Sequence, residues 1–249
     1  EGLKAALEKE KQLGELKSRF VSVASHEFRT PLSTILSSVY LLSKYTTTEE
    51  QPKRERHIER IDASIKLLND MLNDFLSIGR IEEGRVQARI SVFNIRNEVE
   101  SAVEEMKSLL KEKQRFTYTH TGEPSFSLDP ALLKHIILNL LSNAIKFSPE
   151  NSRIQIKTAI KKQELTLSVK DEGIGIPRDD QRHLYERFFR AANAENIKGT
   201  GLGLHIVARY AELMKGSVHC NSRLGKGTEF LLSFKSLEDD EINTADRRQ

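Results

Sequence analysis

Four groups of residues in this 249-residue chain have types and spacings that could do chemistry. Asn139, Asn143 and Lys146 stand at offsets zero, four and seven, which makes one polar stripe on a helix whose other faces are Ile136, Ile137, Leu140, Leu141, Ala144 and Ile145. Asparagine is a mediocre helix former, and its carbonyl oxygen suits a hard cation such as Mg²⁺, while lysine suits a phosphate. Asp171-Glu172-Gly173-Ile174-Gly175-Ile176-Pro177 follows a strand, where Asp171 can accept a hydrogen bond from a base amine and the glycines admit a close ligand or backbone. Gly199-Thr200-Gly201-Leu202-Gly203-Leu204 opens a helix, where bare backbone N–H groups favour an anion. The fourth group is Ser25-His26-Glu27-Phe28-Arg29-Thr30-Pro31-Leu32, inside a helical stretch. His26 and Thr30 share a face, Glu27 projects about a third of a turn away, and Pro31 costs about 3 kcal/mol in a helix interior, so something must compensate for it. Each group alone also has a plainer reading: a solvated helix face, a strand-to-loop exit, an ordinary glycine turn, a surface histidine before a kink.

Two kinds of element must hold these groups. Leu13, Leu16, Phe20, Val23, Phe28, Leu32, Ile35, Val39 and Leu42 step mostly by threes and fours, and Ile58, Ile61, Ile65, Leu68, Leu72 and Phe75 strictly so. The spacing predicts two long helices joined by the polar loop Tyr45–Gln51, with Pro52 in a first helical turn. One such hairpin cannot bury both of its seams, and pairing with a second copy into a four-helix bundle is the physical remedy. Gly79–Gly84 ends the second helix. Strands are then expected at Ile90–Ile95, Phe116–His120, Ser125–Leu128, Arg153–Lys161, Leu165–Lys170, Ser217–Ser222 and Thr228–Phe234. Helices are expected at Glu98–Lys113, at Pro130–Phe147 behind an Asp129 cap, and at Gly201–Met214. The expected fold class is α+β: a helical hairpin forming a dimeric four-helix bundle, then an α/β sandwich. The domains fall at 1–17 (a charged coiled-coil linker), 18–82, 86–236, and a polar tail at 237–249.

Composition narrows the classes. Thirty-nine Lys and Arg against 36 Asp and Glu leave a net charge of +3, and the signs are interleaved, which is no nucleic-acid signature. The single cysteine, Cys220, excludes an internal disulfide framework and a multi-cysteine zinc site, and fits a reducing, cytosolic compartment. No apolar run approaches the ~20 residues that span a bilayer. The chain opens Glu1-Gly2 with neither Met nor a signal peptide, as a fragment of a longer protein would. The glycine loop lacks the dinucleotide fingerprint and the GK[ST] ending of a P-loop, and the HRD and DFG motifs of Ser/Thr/Tyr kinases are absent.

Taken together, the motifs resemble those of a sensor histidine kinase of a two-component system. Ser25–Leu32 is similar to that family's H box, Asn139–Ser148 to the N box, Asp171–Pro177 to the first glycine box, Glu186-Arg187-Phe188-Phe189-Arg190 to the F box, Gly199–Leu204 to the second glycine box, and Gly225–Phe230 to its closing strand. All six occur in family order, across roughly residues 15 to 235. The resemblance implies a domain of the histidine kinase and Hsp90 type that binds ATP and Mg²⁺. It makes His26 the phosphoacceptor and Glu27 the acidic partner that orients or deprotonates its ring. Thr30 would place a water for dephosphorylating the regulator, and Pro31 would mark a helix bend. Asn143 would ligate Mg²⁺ with Asn139 nearby, Lys146 would contact phosphate, Phe147 would pack near adenine, and Asp171 would read its amine. Gly173, Gly175, Gly199, Thr200, Gly201, Leu202 and Gly203 would surround the nucleotide. Lys198 would sit in a mobile lid running from Asp179 to Thr200, and Arg190, or less directly Arg187, would bridge to the γ-phosphate. The implied partners are a second copy of the chain, a response-regulator receiver domain and an upstream sensor domain, with no nucleic acid. The implied setting is cytoplasmic, with a membrane anchor possible upstream.

Three rivals share parts of this pattern. ATP-driven clamp proteins have the same nucleotide fold but no histidine box on a dimerising hairpin. A non-catalytic dimeric scaffold has no need of intact His26, Asn143 and Asp171. A regulator phosphatase keeps the family and changes only the net output.

Overall fold

The computed structural model describes residues 22, 24–194, 197 and 199–236. The linker expected at 1–17, the tail at 237–249 and Lys198 lie outside the described residues. The chain divides into two compact units between Leu76 and Ser77, inside the second helix.

In the first unit, helix α1 runs over residues 24–42 and α2 over Gln51–Glu82. Helix α1 continues through Pro31, although the proline leaves the Glu27 carbonyl without its i+4 donor. The turn into α2 is closed by Glu50, whose carboxylate accepts from the Thr46 and Thr47 N–H groups and the Thr47 hydroxyl at 3.2–3.4 Å. The periodic apolar positions of α2 serve two faces. Met71 is buried, Phe75 meets Phe28 at 5.6 Å between ring centroids, and His57 and Ser64 are also buried. The His57 Nδ1 lies 3.3 Å from the Ser38 hydroxyl, so the buried polar groups meet each other. Ile58, Ile65 and Leu72, seven residues apart, remain about half exposed, and Leu32, Leu36, Val39 and Tyr40 of α1 are half exposed or more. A stripe of that size and period on one chain is an unpaired seam.

The second unit includes the last turns of α2, where Ile78 and Ile81 are buried. It continues as β1 (Ser91–Asn94), α3 (Ile95–Met106), β2 (Arg115–Thr121), β3 (Ser125–Leu128), α4 (Pro130–Phe147), β4 (Arg153–Lys161), β5 (Glu164–Lys170), α5 (Gly203–Leu213), β6 (Ser217–Arg223) and β7 (Gly227–Lys235). The main sheet has the order β2-β4-β5-β7-β6, with β2 and β4 parallel and the other pairs antiparallel, and β1 and β3 form a separate antiparallel pair. Helices α3, α4 and α5 form the second layer. Leu133, Ile136, Ile137, Leu140, Val99 and Val207 meet Ile154, Ile156, Leu165, Leu167, Leu232 and Phe234 in the core.

Caps fix the helix starts. Asp129 accepts from the Leu132 N–H at 2.9 Å and from the Arg89 N–H at 2.6 Å, so α4 begins where the sequence places it. Helix α3 differs from expectation. Asn94 caps it three residues early, accepting from the Arg96 and Asn97 N–H groups, and it ends at Met106 rather than Lys113. Residues 110–114 form a tight turn instead, with Lys113 left-handed at φ 56°.

Candidate functional site

Helix α4 carries Asn139, Asn143 and Lys146 on the stripe that the spacing predicts, and the second glycine box closes over it. A Cβ on Gly203 would stand 2.8 Å from the Asn139 Oδ1, and one on Gly199 would stand 2.3 Å from the Lys146 Nζ. Asn139 also donates to the His135 carbonyl at 3.0 Å, which holds its amide across the helix face. Among the described residues the Asn143 amide has no hydrogen-bond partner. Its carbonyl oxygen is a neutral hard donor of the kind that would hold a divalent cation. The Lys146 Nζ lies 4.8 Å from the centroid of the Phe147 ring.

Asp171 is the first residue past β5 and is only 7% exposed. Its Oδ1 accepts from the Gly173 N–H at 2.8 Å and the Thr228 N–H at 3.2 Å. Burial pushes its pKa up to about 6, against the opposing pull of those two N–H groups. Gly173 is required by the crowding here: a Cβ would lie 2.7 Å from the Asp171 Oδ1 and 2.8 Å from the Phe147 carbonyl. The Ile174 N–H donates to that same carbonyl at 3.2 Å, so the first glycine box is bonded directly to the end of α4. Gly175 lies against the Arg223 carbonyl at the turn between β6 and β7.

The F box meets the second glycine box through its backbone. The Phe188 N–H donates to the Gly201 carbonyl at 3.1 Å, and both residues are left-handed, at φ 60° and 70°. Thr200 accepts the Leu202 N–H on its hydroxyl at 3.2 Å, whereas the Leu202 side chain is fully buried and belongs to the core. Arg190 donates to the Ala194 and Ile197 carbonyls at 3.1 and 2.8 Å, so it ties these two positions to the F box. Arg187 pairs with Glu82 in the last turn of α2, and its Nε–H points to the His205 Nε2 at 3.3 Å. His205 donates its Nδ1–H to the Tyr185 carbonyl, and burial lowers its pKa, which keeps Nε2 an acceptor for Arg187.

Gly227 and Thr228 were not among the expected site residues, although both sit in the closing strand motif. The Thr228 N–H holds Asp171, and a Cβ on Gly227 would lie 2.1 Å from the Asp171 carbonyl. Cys220 has its thiol pushed up to about 11, by burial first and the Asp171 charge second, and is therefore an inert packing residue.

On α1, the His26 Nδ1 lies 3.4 Å from the Glu27 carboxylate, with the imidazole 75% exposed. The contact that adjacent helical positions do not guarantee is therefore made. A ring that donates from Nδ1 presents the Nε2 lone pair to solvent. Thr30 is exposed, and its carbonyl accepts from the Thr34 hydroxyl at 3.1 Å beside the backbone interruption at Pro31.

Comparison with known proteins agrees with both halves of this description. Residues 16–84 match the His Kinase A (phospho-acceptor) domain, and residues 128–238 match the histidine kinase-, DNA gyrase B- and HSP90-like ATPase domain. The signal transduction histidine-protein kinase ArlS of Staphylococcus aureus is 29% identical over 221 residues, covering 87% of this chain and 48% of ArlS, so the chain spans about half the length of the curated relatives it matches. Full-length ShkA in complex with AMPPNP is similar in structure, at TM-score 0.63 and 27% identity over 88% of this chain and 46% of that one. The histidine kinase AdeS of Acinetobacter baumannii shares the fold at TM-score 0.67 and 19% identity, covering 86% of this chain and 98% of that one. ThkA in complex with the response regulator protein TrrA shares it at TM-score 0.64 and 20% identity, covering 92% of this chain and 64% of that one. A phospho-acceptor domain followed by an ATPase domain of this type places the chain among the sensor histidine kinases of two-component systems.

Proposed function

We propose that this chain phosphorylates itself on His26 at the expense of ATP and passes the phosphoryl group to an aspartate of a response-regulator receiver domain. The observation that carries the reading is the His26–Glu27 contact on an exposed helix face, in the same chain as a site where Asn139, Lys146 and Asp171 lie against two glycine loops. Asp171 keeps its Oδ2 clear of the two N–H groups on Oδ1 and accepts the adenine amine there. Lys146 neutralises phosphate charge, and the Asn143 oxygen, with Asn139 beside it, would hold Mg²⁺. Bound Mg²⁺ would supply charge neutralisation along the phosphates. The His26 Nε2 lone pair forms the N–P bond to the γ-phosphorus as the bridging P–O bond breaks and its electrons leave with ADP. The ring becomes cationic in that step, and Glu27 holds the Nδ1 proton and then accepts it. Arg190, which braces the lid carbonyls, orders the segment that covers the phosphates.

The exposed stripe of Ile58, Ile65 and Leu72 supports a homodimer through the hairpin. ShkA binds AMPPNP, and ThkA of the same fold is found with TrrA, in keeping with ATP and a receiver domain as the two substrates. Relatives about twice as long as this chain imply a sensor domain joined upstream. No helix among the described residues is long and apolar enough to cross a membrane. We assign the phosphotransfer to the cytoplasm, with any anchor in the upstream part. Thr30, exposed and one turn from His26, supports a second output, hydrolysis of the regulator's aspartyl phosphate.

The test is incubation with γ-labelled ATP and Mg²⁺ beside a His26→Gln variant. Acid-labile, base-stable label on the parent and none on the variant is the expected result. Label retained by the variant overturns the His26 assignment. ATP binding without label on the parent would leave the phosphatase-dominant reading, and no ATP binding would leave the non-catalytic scaffold.

A further inference from the structure

The last four carbonyls of an α-helix have no donor within the helix, and their partners must come from elsewhere. In α4 those carbonyls belong to the turn that carries Lys146 and Phe147. Ala144 is capped by the Ser148 N–H at 3.2 Å, and Phe147 by the Ile174 N–H of the first glycine box. The other two are reached by side chains from the turn at residues 110–114. The Gln114 amide donates to the Ile145 carbonyl at 3.3 Å and onward to the Ser148 and Pro149 carbonyls at 3.2 and 2.9 Å. The Lys111 ammonium donates to the Lys146 carbonyl at 3.0 Å and the Ser148 carbonyl at 2.6 Å.

This clasp is itself fixed. The Gln114 Oε1 accepts the Lys111 N–H at 2.9 Å, and the Gln114 N–H donates to the Lys111 carbonyl at 3.0 Å. Gln114 is only 6% exposed, so its amide has no water to turn to if the helix end moves. The Lys111 charge also lies at the negative end of the helix dipole. Both residues bond to backbone carbonyls at the end of the helix that carries the stripe of Asn139, Asn143 and Lys146. They act on the backbone that carries it.

We propose that Lys111 and Gln114 are positioning residues for the phosphate end of the nucleotide site, holding the last turn of α4 at the height where Lys146 and Asn143 meet the triphosphate. The proposal rests on the ATP reading above. Adenine recognition belongs to Asp171, which hangs from β5 and β7, and to Phe147, whose carbonyl is held separately by the Ile174 N–H, so loosening the clasp moves the phosphate end against a fixed adenine end. Loss of the clasp therefore weakens ATP far more than adenosine. A clasp that serves stability alone would lower the melting temperature and leave the preference for ATP over adenosine unchanged.

The experiment compares the parent, Lys111→Met, Lys111→Arg and Gln114→Leu, measuring the KM for ATP in autophosphorylation and the inhibition constant of adenosine, well below each melting temperature. Lys111 is exposed, so Lys111→Met keeps the fold even where Gln114→Leu does not. In Lys111→Met the KM for ATP is expected to rise about fivefold to tenfold while adenosine inhibition stays within about twofold, and Lys111→Arg, which keeps the donors, returns close to the parent. An unchanged KM in Lys111→Met, or equal weakening of ATP and adenosine, overturns the positioning role. A parent that neither binds ATP nor labels His26 overturns the underlying reading instead, so the two failures are distinct.

Discussion

Replacing Asp171 with asparagine should make the protein more stable and a poorer nucleotide binder. The carboxyl is held at about 6 rather than its usual 3.8, because burial disfavours its charge more than the Gly173 and Thr228 N–H groups favour it. At neutral pH it is ionised all the same, and that difference corresponds to about 3 kcal/mol of lost stability. Asparagine keeps an oxygen for both N–H groups and carries no charge, so Asp171→Asn should recover about 1–3 kcal/mol at pH 7.5. The sign gives a second check. A carboxyl whose pKa is raised in the folded state destabilises fully above about pH 6, and the penalty fades as pH falls from 6 towards 3.8. The stability gap between variant and parent should therefore be widest above pH 7 and close by about pH 4. Urea denaturation of both proteins between pH 4 and 8 measures it, and titration with AMPPNP at pH 7.5 measures the loss of affinity, expected to be at least about tenfold. An Asp171→Asn protein that is less stable at pH 7.5, or whose stability gap is independent of pH, would refute the account of Asp171 as a desolvated carboxylate. Unchanged AMPPNP affinity would refute its role in reading adenine.

Three further outcomes follow from the packing. Gly203→Ala improves helix propensity by up to about 1 kcal/mol but places a methyl 2.8 Å from the Asn139 Oδ1; thermal melting should show no loss of stability while AMPPNP stabilises the variant less than the parent. Ile65→Lys with Leu72→Lys charges the exposed stripe of α2, and sedimentation should show a monomer whose second unit melts as in the parent; Met71→Ala, on the buried face, should instead destabilise the hairpin by about 2–5 kcal/mol.

The sequence disclosed the α4 site because its elements carry strong local signals. Asp129 precedes Pro130, a cap followed by a residue suited to a first turn, and the apolar period runs without a break to Phe147. The hairpin of β4 and β5 was legible through alternation, and its burial pattern follows that alternation. What was hidden depended on pairings distant in sequence. Thr228 reaches Asp171 only because β7 pairs with β5, and Gln114 reaches Ile145 only across the end of α4. Lys111 reads as the tail of a helix, with Gln114 just past its end, because nothing local stops the charged run from Glu104 to Lys113. After Met106 the helix tightens into a 3₁₀ turn over Lys107–Leu109, and Lys111 and Gln114 lie beyond it, where their side chains reach the α4 carbonyls. On α2, one list of apolar positions concealed two faces, since burial of Met71 and exposure of Leu72 are set by where α1 lies.

Three of the local rules broken in this chain are broken inside the motifs, while left-handed residues such as Lys162 and Lys215 sit in ordinary turns. Pro31 interrupts the hydrogen bonding of α1 one turn after His26, and the backbone carbonyl it strands belongs to Glu27, the residue that contacts the ring. Asp171 carries a charge into a site that burial makes unfavourable to it. Phe188, a bulky residue at φ 60°, holds a conformation that costs of order 1–3 kcal/mol, and it does so backbone to backbone with Gly201 in the glycine box that closes over α4. Each departure is held by a neighbour with little freedom: the helix on either side of Pro31, the two N–H groups on Asp171, the Gly201 carbonyl on Phe188. A fold selected for stability alone would have an ordinary helical residue at 31, a neutral side chain at 171 and a glycine at 188. The three exceptions fall in the histidine box, the first glycine box and the F box, which is the distribution expected when the binding and transfer of a phosphoryl group, rather than packing, decides the residue.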